Sequence, residues 1–141
     1  MTIAIGADHG GFKLKEALVK YLKKKRHSVK DFGTFSEGSC DYPIIGYKVA
    51  RAVSKKKSSR GILICKTGIG MSIVANRVKG VRAALCDRAD IARSSRQHND
   101  TNVLVFAANI VSLQKAKKIV DVWLSTRALG GRHARRVNQM G

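Results

Sequence analysis

The sequence predicts an α/β fold, a three-layer α/β/α sandwich of Rossmann-like type around a five-stranded parallel sheet. Three observations carry this expectation. Short runs of Ile, Val and Leu alternate with amphipathic helical stretches along the whole chain. Runs such as Gly61-Ile62-Leu63-Ile64-Cys65 hold no polar residue, the pattern of strands buried on both faces. The 141 residues contain one Pro and no linker or repeat, so a single domain is expected over 1–141. The expected strand order is 2-1-3-4-5, which places a ligand crevice between the first and third strands.

In chain order, Ile3-Ala4-Ile5-Gly6-Ala7 is the first strand. Phe12 to Lys25 follows with helical spacing, Phe12, Leu14, Leu18, Tyr21 and Leu22 sharing one broad face. Ser28 to Phe32 is the second strand, closed by Gly33. Asp41-Tyr42-Pro43 opens a helix through about Val53, with Pro43 in the first turn, where a missing N–H costs nothing. Arg60 to Cys65 is the third strand and runs into Lys66-Thr67-Gly68-Ile69-Gly70, then a helix through about Val78. Val81 to Cys86 is the fourth strand, followed by a short helix from Ala89 to Arg96. A polar segment, Ser94 to Asn102, leads into the fifth strand, Val103 to Ala107. Ser112 is an N-cap for a helix to about Leu129, whose stripe is Ala116, Ile119, Val120, Trp123 and Leu124, with Gly130-Gly131 stopping it. A last short helix, at about 132–139, is expected to complete the site.

Composition narrows the function classes. Hydrophobic residues make up 44% of the chain, which excludes disorder and collagen-like structure. There is no apolar run of the ~18–20 residues that a membrane span needs, so no membrane association is expected. The N-terminus meets Asp8-His9 before a signal-peptide core could form. Cys40, Cys65 and Cys86 are odd in number and lack metal-like spacing, which points to a reducing cytoplasm and no metal. Lys and Arg number 28 against 9 Asp and Glu, a net charge of +19. Much of that density lies in Lys20–Lys30 and Lys55–Arg60, each at the end of a helix, where cations favour the dipole. No RNP-like aromatic pattern, zinc-finger spacing or heptad seam accompanies it, so no specific nucleic-acid partner is expected.

Chemistry is expected at the C-terminal ends of the first and third strands. In the Cys65–Gly70 loop, Gly68 and Gly70 lack Cβ, so backbone N–H groups can converge on an anion at a helix N-terminus. The same glycines also suit a plain tight connection. Cys65 is either a base or nucleophile activated by those N–H groups or a small buried hydrophobe. Asp8-His9 suits sugar-hydroxyl binding or proton transfer, and equally a capping turn. His98, in the loop before the fifth strand, is an acid/base candidate or a surface residue. Arg132 and Arg136 share a helix face and form either a phosphate clamp or part of a basic tail.

Together, GADHGGFKLK at 6–15, DFGT at 31–34, DYP at 41–43, GILICKTGIGMSIVANRVKGVRA at 61–83, SRQHNDTNVL at 95–104 and GGRHARRV at 130–137 resemble the ribose-5-phosphate isomerase B type of sugar-phosphate isomerase. This is the group that includes the galactose-6-phosphate isomerase subunits. The resemblance implies interconversion of ribose 5-phosphate and ribulose 5-phosphate through an enediolate, with no cofactor. It implies Cys65 as the base, and Thr67 with the backbone of Lys66, Gly68, Ile69 and Gly70 around the enediolate oxygens. His98 would open the furanose ring. Asp8, His9, Tyr42 and Asn99 would contact the sugar, and Arg132 and Arg136 the phosphate. A homodimer or dimer of dimers with sites at the subunit interface is implied as well. Two positions depart from the family pattern: Lys66, where glycine is usual, and Asn109, where relatives often carry a phosphate-binding Arg. A six-carbon sugar phosphate, allose or galactose 6-phosphate, is the alternative substrate. A basic nucleic-acid-binding α/β module is the non-enzymatic one.

Overall fold

In the computed structural model, which describes Met1 to Gly141, β1 (Thr2–Ala7) leads through α1 (Phe12–Lys24) to β2 (Ser28–Asp31). Next come α2 (Tyr42–Ser54), β3 (Arg60–Cys65), α3 (Ile69–Asn76), β4 (Ala83–Leu85) and α4 (Ala89–Asn99). The chain ends with β5 (Val103–Ala107), α5 (Leu113–Ser125) and α6 (Arg132–Gln139). The strands form one five-stranded sheet in the order β2-β1-β3-β5-β4, every neighbouring pair parallel.

The α/β class is as expected, but the last two strands exchange places relative to the expected 2-1-3-4-5. The physical reason is burial. All five residues of β5 are buried, as a strand covered on both faces and flanked on both edges must be. Strand β4 is three residues long, with Leu85 exposed, and fits only an edge. It is also shorter than the expected Val81–Cys86, and α3 stops at Asn76 rather than about Val78.

Two further boundaries matter for the site. Helix α4 continues through Asn99, so His98 and Asn99 lie on its last turn rather than in a loop, and Asp100 at φ 45° ends it. Helix α5 ends at Ser125, because Thr126 turns extended (φ −95°, ψ 132°) while its Oγ1 donates to Val122 O at 2.6 Å. The segment after it crosses to α4, where Leu129 N donates to Gln97 O at 3.0 Å. Gly131, at φ +63°, is therefore the N-cap of α6 and not the stop of α5.

Side chains alternate cleanly across the sheet. Ile3, Ile5, Ile62, Ile64, Leu104 and Phe106 face the layer of α1, α4 and α5, where Trp123 is fully buried. Ala4, Leu63, Cys65, Val103 and Val105 face α2 and α3. Helix α2 lies directly on the sheet at two glycines. A Cβ on Gly6 would meet Ile45 at 2.6 Å, and one on Gly61 would meet Val49 and Val53 at 3.0 Å. A larger residue at Gly6 would drive the helix off the strands.

Lys15 is fully buried. With Leu18, Val19 and Leu22 it forms the inward stripe of α1, at spacings of three, four and seven. Its Nζ donates to Asp31 Oδ2 and Glu16 Oε1, both at 2.7 Å, and lies 5.0 Å from the Phe35 ring centre. Asp31 Oδ1 accepts from Gly33 N at 2.9 Å. One buried cation thus pins the β2–α2 connection, which borders the site described next.

Candidate active site

The parallel pairing of β1 with β3 sets Ala7 beside Ile64, so the residues that follow, Asp8 and Cys65, emerge side by side. A cavity of about 460 Å³ opens there, lined by Asp8, His9, Tyr42, Cys65, Lys66, Thr67, Ile69, Gly70 and Ile73. Eight sequence-predicted positions therefore converge in one pocket. Ile73, which the sequence reading missed, joins Ile69 on the exposed rim one helical turn away. That i, i+4 spacing was the available signal.

Asp8 is buried, and its Oδ1 accepts from Gly10 N at 2.9 Å and Gly11 N at 3.1 Å. It is thus the capping residue of the β1–α1 turn, and its other oxygen has no partner within the chain. His9 Nδ1 accepts from Cys40 N at 3.3 Å. In the neutral ring the proton is then on Nε2, which makes His9 a donor toward the pocket. Cys40, which had no evident role in the sequence, supplies that orientation through its backbone.

The Cys65 side chain is 5% exposed at the end of β3, and Ala108 N donates to its carbonyl at 2.9 Å. Beyond it the backbone turns sharply. Gly68 has φ +74°, and a Cβ there would meet Leu85 at 2.4 Å and the Phe106 carbonyl carbon at 3.3 Å. Only glycine fits both the angle and the space. The turn aims the first N–H groups of α3 at the pocket, with Thr67 Oγ1 accepting from Ile69 N at 3.3 Å. Tyr42 lies across Gly70, whose added Cβ would fall 2.6 Å from its ring. The glycine is what lets the tyrosine wall the site. Cys86, by contrast, sits in the opposite layer, and burial pushes its thiol up to about 11, out of range for a base at neutral pH.

Lys66 does not have the positive φ that would favour glycine, so its side chain is carried without strain. It lies over Gly10, where an added Cβ would meet Lys66 Cγ at 2.4 Å. Asn109 N donates to Lys66 O at 3.1 Å. Asn109 is therefore the hydrogen-bonded neighbour of a residue that lines the pocket.

His98, Asn99, Arg132 and Arg136 are not brought to this cavity within one chain. They sit on α4 and α6, whose facing side chains frame a separate cleft that shares no lining residue with the pocket of Cys65. There the His98 and His133 rings stack 4.4 Å apart at 13°. Desolvation, then His98 and the flanking Arg132 and Arg136, hold the His133 imidazole below its ordinary pKa. No residue of α6 is buried. The α4 turn itself is firmly anchored: buried Arg96 donates to Thr101 O and to Asp100 Oδ1 at 2.7 Å, and Trp123 Nε1 to Thr101 Oγ1 at 3.0 Å.

No group of His, Cys, Asp and Glu side chains is arranged to hold a metal ion. No helix is long and apolar enough to cross a membrane.

The fold and pocket have close counterparts. A family model described as ribose/galactose isomerase matches residues 3–140. Ribose-5-phosphate isomerase B of Escherichia coli is 49% identical over 96% of this chain and 91% of its own. The ribose-5-phosphate isomerase B structure from Clostridium thermocellum superposes with a TM-score of 0.99 at 50% identity, covering 100% of this chain and 95% of that one. The enzyme from Mycoplasma genitalium, solved with bound ribulose 5-phosphate, gives a TM-score of 0.94 at 40% identity over 99% of this chain and 93% of that one.

Proposed function

The chain belongs to the ribose/galactose isomerase family, and from that premise we propose how its residues interconvert ribose 5-phosphate and ribulose 5-phosphate. It is an aldose–ketose isomerase of the ribose-5-phosphate isomerase B type. The reaction moves one proton between C2 and C1 of the open-chain sugar through an enediolate. The O2 hydroxyl proton passes to O1, and Cys65, acting as the base, takes the carbon-bound proton from C2 and returns it to C1. Negative charge builds on O1 and O2 as it leaves, and Thr67 with the N–H groups from Lys66 to Gly70 stabilises that charge. The observation that carries this reading is the convergence of Cys65 and the α3 N-terminus on one small cavity with the Nε2–H of His9.

His9 donates to a sugar oxygen, Asp8 accepts from a hydroxyl through its unpartnered oxygen, and Tyr42 walls the ring. His98 opens the furanose, accepting the anomeric O–H proton and delivering one to the ring oxygen, with Asn99 beside it on the sugar. Arg132 and Arg136 hold the phosphate. Lys66 adds a cation on the other side, where Asn109 leaves none. No metal or organic cofactor takes part.

The four residues of α4 and α6 reach a Cys65 pocket when a second copy supplies them, so the working enzyme is a homodimer, or a dimer of dimers, in the cytoplasm. Support comes from the exposed apolar rim of Ile69, Ile73 and Tyr42 beside an incomplete pocket. Residues 1–141 act as one domain, with α6 completing the site of the partner.

The test is ribose 5-phosphate isomerisation by wild type, Cys65→Ala and His98→Asn, alone and mixed after partial unfolding. Each variant alone loses kcat by orders of magnitude. The mixture recovers about one quarter of wild-type activity, because half the dimers are hybrid and each hybrid has one intact site. No recovery on mixing sinks the shared site, and an unchanged Cys65→Ala rate removes Cys65 as the base. Faster turnover of allose or galactose 6-phosphate would move the substrate to six carbons.

A further inference from the structure

The Cys65 pocket and α6 use few of the 28 cations, and the rest are not spread evenly. A cleft of about 330 Å³ between α2 and the edge strand β2 is lined by Lys30, Lys48, Arg51, Lys55 and Lys57. It has no carboxylate in its lining, and none of these five is ion-paired. At Ser58 it meets a second cleft, of about 580 Å³, holding Lys56, Arg60 and Arg82. The one acid there, Asp100, is already bonded to Arg82 and Arg96. Through Gly80 and Arg82 this opens into a third, with Arg77 and Lys79.

The three clefts form one basic track along the N-terminal ends of the strands. Thr2 and Arg60, where β1 and β3 begin, line it, and Asn102 just before β5 does too. The Asp8 and Cys65 pocket lies at the other end of the same strands. Cations that served only to steer a sugar phosphate would surround that pocket, not the far edge. Lys48 and Arg51 on α2 and Lys55 at its C-cap follow one another three and four residues apart, an arrangement that costs stability through like-charge repulsion unless an anion lies against it. Arg60 lies over Trp123 with a buried Nε that no group of the chain accepts from.

We propose that this track binds an extended chain of phosphates. Phe32 is the one aromatic residue in its lining, and Lys30 lies over it, 5.8 Å from the ring centre. No base can stack there, so recognition is through the phosphates alone and carries no sequence preference. A single-stranded nucleic acid and inorganic polyphosphate present the same chemistry.

The test is fluorescence anisotropy of a labelled oligothymidine, and separately of labelled long-chain polyphosphate, across a salt series. Wild type is compared with a variant carrying Lys48→Gln, Arg51→Gln, Lys55→Gln and Lys57→Gln. The control carries Lys20→Gln, Lys23→Gln, Lys115→Gln and Lys118→Gln, an equal charge change at exposed sites on α1 and α5. The track variant is expected to bind at least ~10-fold more weakly near physiological salt, with a salt slope lower by about 3, that is ~0.7 per lost contact. The control is expected to stay within ~3-fold of wild type, because its charges lie off the track. Isomerase activity, measured in parallel, is unchanged in both, so a failed track and a failed catalytic reading are separable. Equal losses in track and control variants, sequence-selective binding, or no binding of either probe by wild type would each overturn the proposal. Binding of only one probe supports the track and identifies the source of the phosphates.

Discussion

Lys66 and Asn109 offer a sharp test of the site because a backbone hydrogen bond joins them. If Lys66 supplies the cation that Asn109 omits, Lys66→Gly should weaken substrate binding and leave the chemistry alone. A unit charge pair at 4 Å is worth about 1 kcal/mol in water and about 4 kcal/mol near a protein surface. Lys66 is exposed, so the low end applies, giving about 1–1.5 kcal/mol against a phosphate group. That corresponds to a rise in KM for ribose 5-phosphate of roughly 5- to 13-fold with kcat unchanged. Initial rates across substrate concentration at low and near-physiological ionic strength would measure it, and raised salt should shrink the difference. Asn109→Arg should restore most of the loss in the Lys66→Gly background and add little to wild type. An unchanged KM in Lys66→Gly, or the same effect of Asn109→Arg in both backgrounds, would refute the exchange of one cation for the other.

Lys15→Met leaves Asp31 without its cation and frees the β2–α2 connection. Asp31 is only partly buried, so the cost is about 2 kcal/mol, read as a lower Tm, with a higher KM as the backbone hold on His9 slackens. Gly68→Ala forces a side chain into φ +74° and against Leu85, and should cost about 1–3 kcal/mol with near-complete loss of kcat. For His133 the folded-state pKa is lowered, so the unfolded chain takes up the proton first. Docking of α6 is therefore unaffected above about pH 6.5, the unfolded value, and weakens as pH falls below it. Hydrogen exchange in 126–131 should speed up over that range in wild type and lose this dependence in His133→Asn.

Much of the pocket was legible because the alternation of strands and helices implies parallel pairing. Parallel pairing brings the ends of the first and third strands together without further information, so Asp8, His9 and Cys65 to Gly70 could be placed beside one another from spacing alone. The exchange of β4 and β5 was less visible, since Val81–Cys86 and Val103–Ala107 both read as apolar runs. Arg82, interrupting the first, was the clue that it belongs at an edge. His98 and Asn99 read as loop residues because their segment is polar, but polarity there marks the exposed face of a helix end. Lys15 is masked in the sequence by neighbouring lysines, although it falls on the apolar stripe of its own helix. Nothing local to the sequence separates the α4–α6 cluster from the Cys65 pocket, because that distance depends on the tertiary path after Ser125.

Helix α2 joins the two ends of the molecule: Tyr42 at its start walls the sugar pocket, and Lys48, Arg51 and Lys55 border the basic track. Because its valines are seated against the sheet at Gly6 and Gly61, it has no second resting position to slide or tilt into. A lever needs a fulcrum with play, and this one is bolted down. The two ends should therefore work as separate compartments on one frame, with a phosphate chain on the track leaving the KM for the sugar where it was.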